Sequence, residues 1–161
     1  MNETDLRHLR RCVELAEQAL NSGDEPFGSI LVSKDGAVLF EERNHVGDGD
    51  ATQHPEFAIA RWAAENLTPE ARRTATVYTS GEHCPMCAAA HAWVGLGRIV
   101  YASSTTQLAS WIREAGRRPG NVKPLPIGDV VEGVSVEGPV EELAKQVKQL
   151  HLRAWSDGGS R

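Results

Sequence analysis

Hydrophobic residues recur at alternating steps of three and four along the first twenty positions, a spacing typical of one face of a helix. The residues concerned are Leu6, Leu9, Val13, Ala16 and Leu20, and the pattern ends at Asn21-Ser22-Gly23. Two short apolar runs follow in GSILVSKDGAVLFEE, with Asp-Gly between them. Because Asp-Gly between such runs favours a tight turn, the sequence predicts a β-hairpin after the first helix.

Helix and strand patterns then alternate along the chain. The segment HPEFAIARWAAENL favours a helix, because a proline at the first helical position, here Pro55, loses no intrahelical hydrogen bond. After it come a strand (ATVYTS), a helix (CPMCAAAHAWVGLG), a strand (RIVYAS), a helix (TTQLASWIREAG), a short strand (GVSVEG) and a closing helix (PVEELAKQVKQLHLRAW). Strands that alternate with helices are joined by crossover connections, so part of the sheet is predicted to be parallel. The sequence thus predicts an α/β fold.

Length and composition fit one globular domain. A chain of 161 residues can bury one core, so residues 1–161 are predicted to form a single domain whose last stretch, 156–161, frays. Hydrophobic residues make up 40% and charged residues 24%, which argues against disorder. The first residues carry no apolar signal segment, no run is long enough to span a bilayer, and three cysteines suit a reducing compartment. These features predict a cytoplasmic protein with no membrane partner.

The charge balance disfavours nucleic acid as a partner. The formal net charge is −5 and the basic residues are scattered, whereas proteins that hold a polyanion usually show a basic stripe. Arg117, Arg118 and Lys123 form one small cluster beside Pro119 and Gly120. Such a cluster is typical of a solvated loop, so it does not change the expectation.

Two cysteines stand one helical turn apart in TSGEHCPMCAAAH, at positions 84 and 87. As a redox pair, Cys84 and Cys87 would exploit the start of a helix, where the thiol pKa is lowered. Alternatively, His54 supplies a third ligand of a type that zinc prefers, and a catalytic zinc site keeps three protein ligands and a water. Glu56 lies two residues after His54, near enough to move protons at that water. A buried histidine and two core thiols without a chemical role form the third interpretation.

The motif HPE at 54–56 followed by CPMC at 84–87, in this order of helices and strands, resembles the cytidine deaminase superfamily. The resemblance implies a three-layer α-β-α sandwich whose central, mixed five-stranded sheet is flanked by helices. It also implies one Zn2+ ion per chain, held by His54, Cys84 and Cys87 with water or hydroxide as the fourth ligand. Glu56 would carry the protons while zinc-bound hydroxide attacks an aromatic carbon that bears an amino group, and ammonia would leave.

Within this superfamily the chain looks most like the branch that contains guanine deaminases, yeast-type cytosine deaminases and bacterial tRNA adenosine deaminases. Members carry P-x-G on the first strand, here PFG at 26–28, and an asparagine after the second strand, here Asn44. By resemblance Asn44 hydrogen-bonds the substrate ring and Phe27 lines the pocket, although a turn residue and a core residue at these positions would need no function. The family usually has proline where His83 stands and alanine where Pro55 stands.

Four further residues are candidates for contact with the substrate. Glu82, at the pocket rim by position, could accept hydrogen bonds from a ring N–H or an amino group, and His83 could face the substrate or simply neighbour the metal site. Trp111 and Trp155 could stack on a flat heterocycle or anchor the core. Related guanine deaminases close the pocket with an acid from later in the chain. The corresponding region here has no aspartate at that place, which puts guanine itself in doubt.

The sequence leaves three hypotheses of function. The first is a zinc-dependent hydrolytic deaminase of a small aminated heterocycle: cytosine, isocytosine, guanine or an aminated s-triazine. The alternative is a tRNA-specific adenosine deaminase, but the acidic balance and the bulk of Phe27 favour the small molecule. The third is a catalytically idle zinc-binding module, against which Glu56 argues because a structural zinc site needs no such acid. The resemblance also implies a homodimer.

Overall fold

A computed structural model describes residues 1–157 of the chain. The helices in this range are α1 (Glu3–Asn21), α2 (Pro55–Asn66), α3 (Pro69–Thr74), α4 (Pro85–Trp93), α5 (Thr105–Glu114) and α6 (Glu141–Ser156). The strands are β1 (Gly28–Val32), β2 (Val38–Arg43), β3 (Thr76–Gly81), β4 (Arg98–Ser103) and β5 (Val136–Glu137). Short 3-10 helices span Val46–Asp48 and Ile127–Asp129.

The five strands form one mixed sheet in the order β2-β1-β3-β4-β5. Strand β1 is antiparallel to both β2 and β3, whereas β3, β4 and β5 run parallel. The predicted hairpin and the predicted parallel portion are therefore both confirmed. Every residue of β1 is buried, because helices cover both faces of the sheet at this strand.

Three layers account for the core. On one face, α1, α5 and α6 pack against the sheet around a cluster that includes Leu9, Ile30, Val100, Trp111 and Val147. On the other face, α2 packs against β1 and β2, and α4 packs beside α2. The hydrophobic cluster on this face includes Leu31, Ile59, Ala63 and Val77. The three-layer α-β-α sandwich predicted from the resemblance is confirmed.

The beginning of α1 follows directly from its sequence. The side chain of Asn2 accepts a hydrogen bond from the Asp5 N–H, and the side chain of Asp5 accepts one from the Asn2 N–H. This reciprocal pair satisfies two backbone donors that the first turn of a helix leaves free. The apolar face predicted from the three- and four-residue spacing then meets the sheet and α6.

Two regions differ from the sequence-based expectation. A short helix, α3, follows α2, and it begins where the Thr68 side chain accepts a hydrogen bond from the Ala71 N–H. The first two residues of the predicted frayed tail are held by α6 instead, because α6 includes Ser156 and the Asp157 N–H donates to the Arg153 carbonyl. The rest of the predicted tail, 158–161, lies outside the described residues. Within residues 1–157, no helix combines the length and apolar character needed to cross a bilayer.

Candidate active site

The sheet topology brings several of the predicted functional residues to one edge. Because β1 is antiparallel to its neighbours, its first residues lie beside the last residues of β2 and β3. Helices α2 and α4 also begin at this edge, since each follows a strand that ends there. His54 and Cys84 are the N-cap residues of these two helices. We call this edge, with Phe27, Asn44, His54 and Cys84, the catalytic edge.

Three side chains at the catalytic edge form a group that could hold a metal ion. The ligand atoms of His54, Cys84 and Cys87 all lie within 4.8 Å of one another. The Sγ atoms of Cys84 and Cys87 lie 3.5 and 3.6 Å from His54 Nδ1. Tetrahedral zinc, at about 2.3 Å from sulfur and about 2.0 Å from nitrogen, holds such atoms about 3.5 Å apart. The three residues therefore fit a zinc ion in donor type and in spacing.

The electrostatics of the group favour a cation. The pKa of the Cys84 thiol is lowered to about 4, chiefly by the hydrogen bond from Cys87 and further by the one from His54. The hydrogen bond with Cys84 in turn raises the pKa of His54 to about 9, and the hydrogen bond between the two cysteines, together with burial, raises the pKa of Cys87. A divalent ion would take the place of the protons that these ligands hold, because zinc binds the deprotonated forms of cysteine and histidine.

Glu56 lies in the first turn of α2, with only 5% of its surface exposed. Its Oε1 atom accepts hydrogen bonds from Thr79 Oγ1 at 2.6 Å and from Ser29 Oγ at 3.0 Å. Burial raises the pKa of Glu56, an effect that the hydrogen bond from Thr79 and the neighbouring His54 oppose. A carboxyl group with a raised pKa can both take and return a proton near neutral pH, which is what general acid–base catalysis needs.

Ser29 and Thr79 contact the Glu56 carboxylate, a role that the sequence pattern alone does not predict. Both residues are completely buried, and they pair across β1 and β3 with their hydroxyl oxygens 2.8 Å apart. The available signal was a hydroxyl residue inside an otherwise apolar strand, in GSILV and in TVYTSG. Buried hydroxyls need partners, and here the partner is the Glu56 carboxylate.

Asn44 and Phe27 are brought together at the catalytic edge. The Asn44 N–H donates to the Phe27 carbonyl, and Asn44 Oδ1 accepts from the Val46 N–H. Asn44 is completely buried, yet its Nδ2 has no hydrogen-bond partner among the described residues. The Phe27 ring is partly exposed and lies against Gly81, the last residue of β3. The unused Nδ2 donor is available to an acceptor atom on a ligand.

Both carboxylate oxygens of Glu82 accept hydrogen bonds from backbone N–H groups. Its Oε2 accepts from the Thr105 N–H at the start of α5, and its Oε1 accepts from the Ile127 N–H, each at 2.8 Å. These bonds fix two segments of chain behind the catalytic edge. Nothing in this arrangement requires Glu82 to bind a substrate.

His83 is buried beside the metal-ligand group and faces another histidine. Only 2% of its surface is exposed, and its ring meets that of His91 edge-on with centroids 5.3 Å apart. Neither ring nitrogen of His83 has a hydrogen-bond partner among residues 1–157. Burial holds the pKa of His83 well below its usual value, so its ring is neutral.

Trp111 and Trp155 lie in the core layer formed by α5 and α6. Trp111 is 7% exposed and belongs to the cluster under α1 and α6, while Trp155 packs against the same cluster. Both rings flank His151, with centroids 6.1 and 5.5 Å from its ring. The ring of Phe27 lies 5.1 Å from that of His151 on another side. His151 thus joins the two tryptophans to the catalytic edge, and Trp111 itself is a core residue.

Comparison with known proteins agrees with the site. Residues 2–103 match the family model described as the cytidine and deoxycytidylate deaminase zinc-binding region. The chain is 35% identical to a probable cytosine deaminase of Schizosaccharomyces pombe, over 99% of this chain and 96% of that protein. It is 34% identical to guanine deaminase of Bacillus subtilis, over 76% of this chain and 83% of that protein.

Solved structures give the same picture of the fold. The structure of guanine deaminase from Bacillus subtilis matches with a TM-score of 0.57 and 30% identity, over 100% of this chain and 98% of that chain. The structure of guanine deaminase from Nitrosomonas europaea matches with a TM-score of 0.66 and 17% identity, over 90% of this chain and 83% of that chain.

The chain belongs to the cytidine and deoxycytidylate deaminase family. It is an enzyme, a hydrolase that acts on C–N bonds and uses zinc as its cofactor.

Proposed function

We propose that this enzyme deaminates a small aminated heterocycle of the cytosine, isocytosine, guanine or aminated s-triazine type, with release of ammonia. The observation that carries the proposal is the position of Glu56, a buried acid two residues from His54 and held by two hydroxyl groups. A zinc site that only stabilises a fold has no need of such an acid. The relatives named as cytosine and guanine deaminases support a nucleobase as the substrate class.

The proposed mechanism assigns zinc binding to three residues of the chain and proton transfer to a fourth. When bound by His54, Cys84 and Cys87, zinc supplies a Lewis acid that makes water nucleophilic at neutral pH. Glu56 would take a proton from water and pass it to the ring nitrogen, and would then carry the proton of the added hydroxyl group to the departing amine. The balance is one water consumed and one ammonia released, so that a C–NH2 carbon becomes a carbonyl carbon.

Asn44 and Phe27 are proposed to bind the substrate ring. Asn44 Oδ1 is held by the Val46 N–H, which leaves the Nδ2 group to donate to a carbonyl oxygen or an unprotonated ring nitrogen. The partly exposed Phe27 ring offers an apolar surface to a flat heterocycle. A direct contact with substrate stays a prediction from the sequence for four residues: Glu82, His83, Trp111 and Trp155.

The first experiment measures ammonia release from the zinc-loaded enzyme. The substrates are cytosine, 5-methylcytosine, isocytosine, guanine, adenine, cytidine and ammeline, with a tRNA anticodon stem that contains adenosine alongside. Release from one free base, lost in Glu56→Ala and kept in Glu65→Gln, supports the proposal. Glu65 is a suitable control because it lies exposed on the same helix, α2.

The other outcomes decide between the remaining hypotheses. Release from the RNA alone would favour a tRNA-specific adenosine deaminase, a function named for a Haemophilus influenzae relative that is 31% identical over 64% of this chain. No release from any substrate, with zinc fully bound, would favour an idle zinc-binding module.

A homodimer is proposed on the basis of a partly exposed apolar face of α4, in which Trp93 is exposed and Met86 and Ala89 are half-buried. Met86, Ala89 and Trp93 follow one another at three- and four-residue spacing, and the Trp93 side chain is 86% exposed. An apolar helix face of this kind marks an interaction surface more often than a free one. Light scattering during gel filtration should give twice the chain mass, and Trp93→Glu should halve it. Val122→Glu, at another exposed apolar residue, is the control.

A further inference from the structure

The loops that carry Phe27 and Asn44 are joined by an ion pair. Asp24 lies in the loop between α1 and β1, and Arg43 is the last residue of β2. Arg43 Nη1 lies 2.6 Å from Asp24 Oδ2, and the two side chains are 24% and 10% exposed. The pair is therefore better shielded from water than an ordinary surface ion pair.

Both partners also hold the backbone around Asn44. Arg43 Nη1 donates to the Asn44 carbonyl at 3.0 Å, and Asp24 Oδ1 accepts from the Gly47 N–H at 2.7 Å. The segment from Asn44 to Gly47 is thus fixed at each end by the same ion pair. The Asp24 N–H donates to the Ala19 carbonyl at the end of α1, which anchors Asp24 itself.

The space around this arrangement is closely filled. A Cβ atom added at Gly47 would lie 2.6 Å from Asp24 Oδ1 and 3.0 Å from the Gly23 carbonyl oxygen. Glycine is therefore the residue that lets the backbone approach the carboxylate. The close approach fixes where the Val46 N–H points, and that N–H holds the Asn44 side-chain amide.

We infer that Asp24 and Arg43 are positioning residues that fix the Asn44 amide for binding the substrate heterocycle. The inference rests on the proposed function of Asn44. The pair acts through the backbone: it fixes the Asn44–Gly47 segment, and the segment fixes the Asn44 side chain through Oδ1. The Nδ2 donor is left without a partner among residues 1–157. A misplacement of a binding group by about 1 Å is enough to cost an enzyme up to about a hundredfold in rate.

The test compares Asp24→Ala and the milder Asp24→Asn with Glu41→Gln. The control weakens another ion pair on the same strand, in which Glu41 accepts two hydrogen bonds from Arg11. We expect the Asp24 variants to raise KM about tenfold with a smaller change in kcat, and to keep their zinc. Glu41→Gln should leave KM unchanged. A KM that stays the same in both Asp24 variants overturns the inference.

A double-mutant cycle shows whether Asp24 acts through Asn44. In an Asn44→Ala background, Asp24→Ala should lower kcat/KM no further, because the group that it positions is gone. Additive losses would mean that Asp24 acts by another route and would also overturn the inference.

A measurement without turnover separates this inference from the proposed function. Exchange of the Val46 amide hydrogen should be about tenfold faster in Asp24→Ala than in wild type, since the hydrogen bond to Asn44 Oδ1 is weakened. Unchanged protection of Val46 overturns the inference even if the enzyme deaminates none of the substrates tested. Faster exchange in a protein that releases no ammonia would count against the proposed function alone.

Discussion

Thr79 Oγ1 lies 2.6 Å from Glu56 Oε1, although Thr79 belongs to a central strand and Glu56 to the first turn of a helix. The contact fixes one oxygen of the carboxylate and lowers the pKa of Glu56 against the effect of burial. The sheet thus sets both the orientation and the proton affinity of the acid.

Thr79→Val should therefore lower kcat about tenfold and leave the zinc content unchanged. Loss of the hydroxyl removes an interaction that favours the ionised carboxylate, so the pKa of Glu56 rises further. If the ionised form takes the proton from water, the acidic limb of the pH–rate profile moves to higher pH. Thr79→Ser keeps a hydroxyl and should restore most of the rate. An unshifted profile in Thr79→Val would contradict the assignment.

Cys87→Ser should lose most of its zinc. The substitution replaces a thiolate ligand with a hydroxyl, which does not deprotonate readily at neutral pH, and it leaves a buried polar group in place of Cys87. Cys12→Ala is the control, because Cys12 is a buried residue of α1 and does not belong to the metal-ligand group. Metal analysis after dialysis checks the result, and a Cys87→Ser protein with full zinc would show that the ligand set is wrong.

Asp5→Asn should lower the free energy of unfolding by about 2 kcal/mol, the range for hydrogen bonds to charged groups. Asp5 accepts from Arg98 through both oxygens and from the Tyr78 hydroxyl, and only 3% of its surface is exposed. Arg98 holds the pKa of Asp5 well below its usual 3.8. The stabilisation is therefore present above about pH 4 and lost as the pH falls below it.

Urea unfolding at pH 7 and at pH 3 checks both parts of this prediction. Glu137→Gln removes the charge of the more exposed partner of Arg98. It should lower the free energy of unfolding at pH 7 by less than Asp5→Asn does. If Asp5→Asn and Glu137→Gln lowered the free energy of unfolding equally, burial of Asp5 would add nothing to its ion pair with Arg98.

His151 should make the protein less stable in mild acid. Burial lowers its pKa from 6.5 to about 4. Between these values the unfolded chain binds a proton that the folded chain does not, so stability falls as the pH drops from 6.5 to 4, by up to about 3 kcal/mol. His151→Phe, which removes the buried titrating ring, should flatten this decline. The same decline in wild type and in His151→Phe would refute the assignment.

The sequence was sufficient for the fold because its signals were local. The spacing of Leu9, Val13 and Ala16 predicted α1, and Asp-Gly predicted the hairpin. The helix starts at Pro55 and Pro85 placed His54 and Cys84 at helix N-caps. By contrast α3 is only six residues long, too short for a periodic pattern to show.

Parts of the candidate site depended on contacts between distant segments. Glu82 follows β3 and looks like a rim residue in the sequence, but it receives hydrogen bonds from the backbone at Thr105 and Ile127. The partnership of Ser29 and Thr79 with Glu56 likewise depends on the register of β1 and β3. Spacing along the chain carries no information about such register, so these roles became visible only in three dimensions.

The packing of α6 on α1 has a consequence for how the chain folds. The first and last helices share one hydrophobic cluster, in which Leu9 and Val147 are both completely buried. Contacts between residues so far apart in sequence form slowly, because a long loop must close before they are made. During synthesis the residues of the metal-ligand group leave the ribosome well before α6 does. The part of α1 that α6 covers therefore stays exposed on the nascent protein until α6 has been synthesised, and a chaperone can bind this apolar surface.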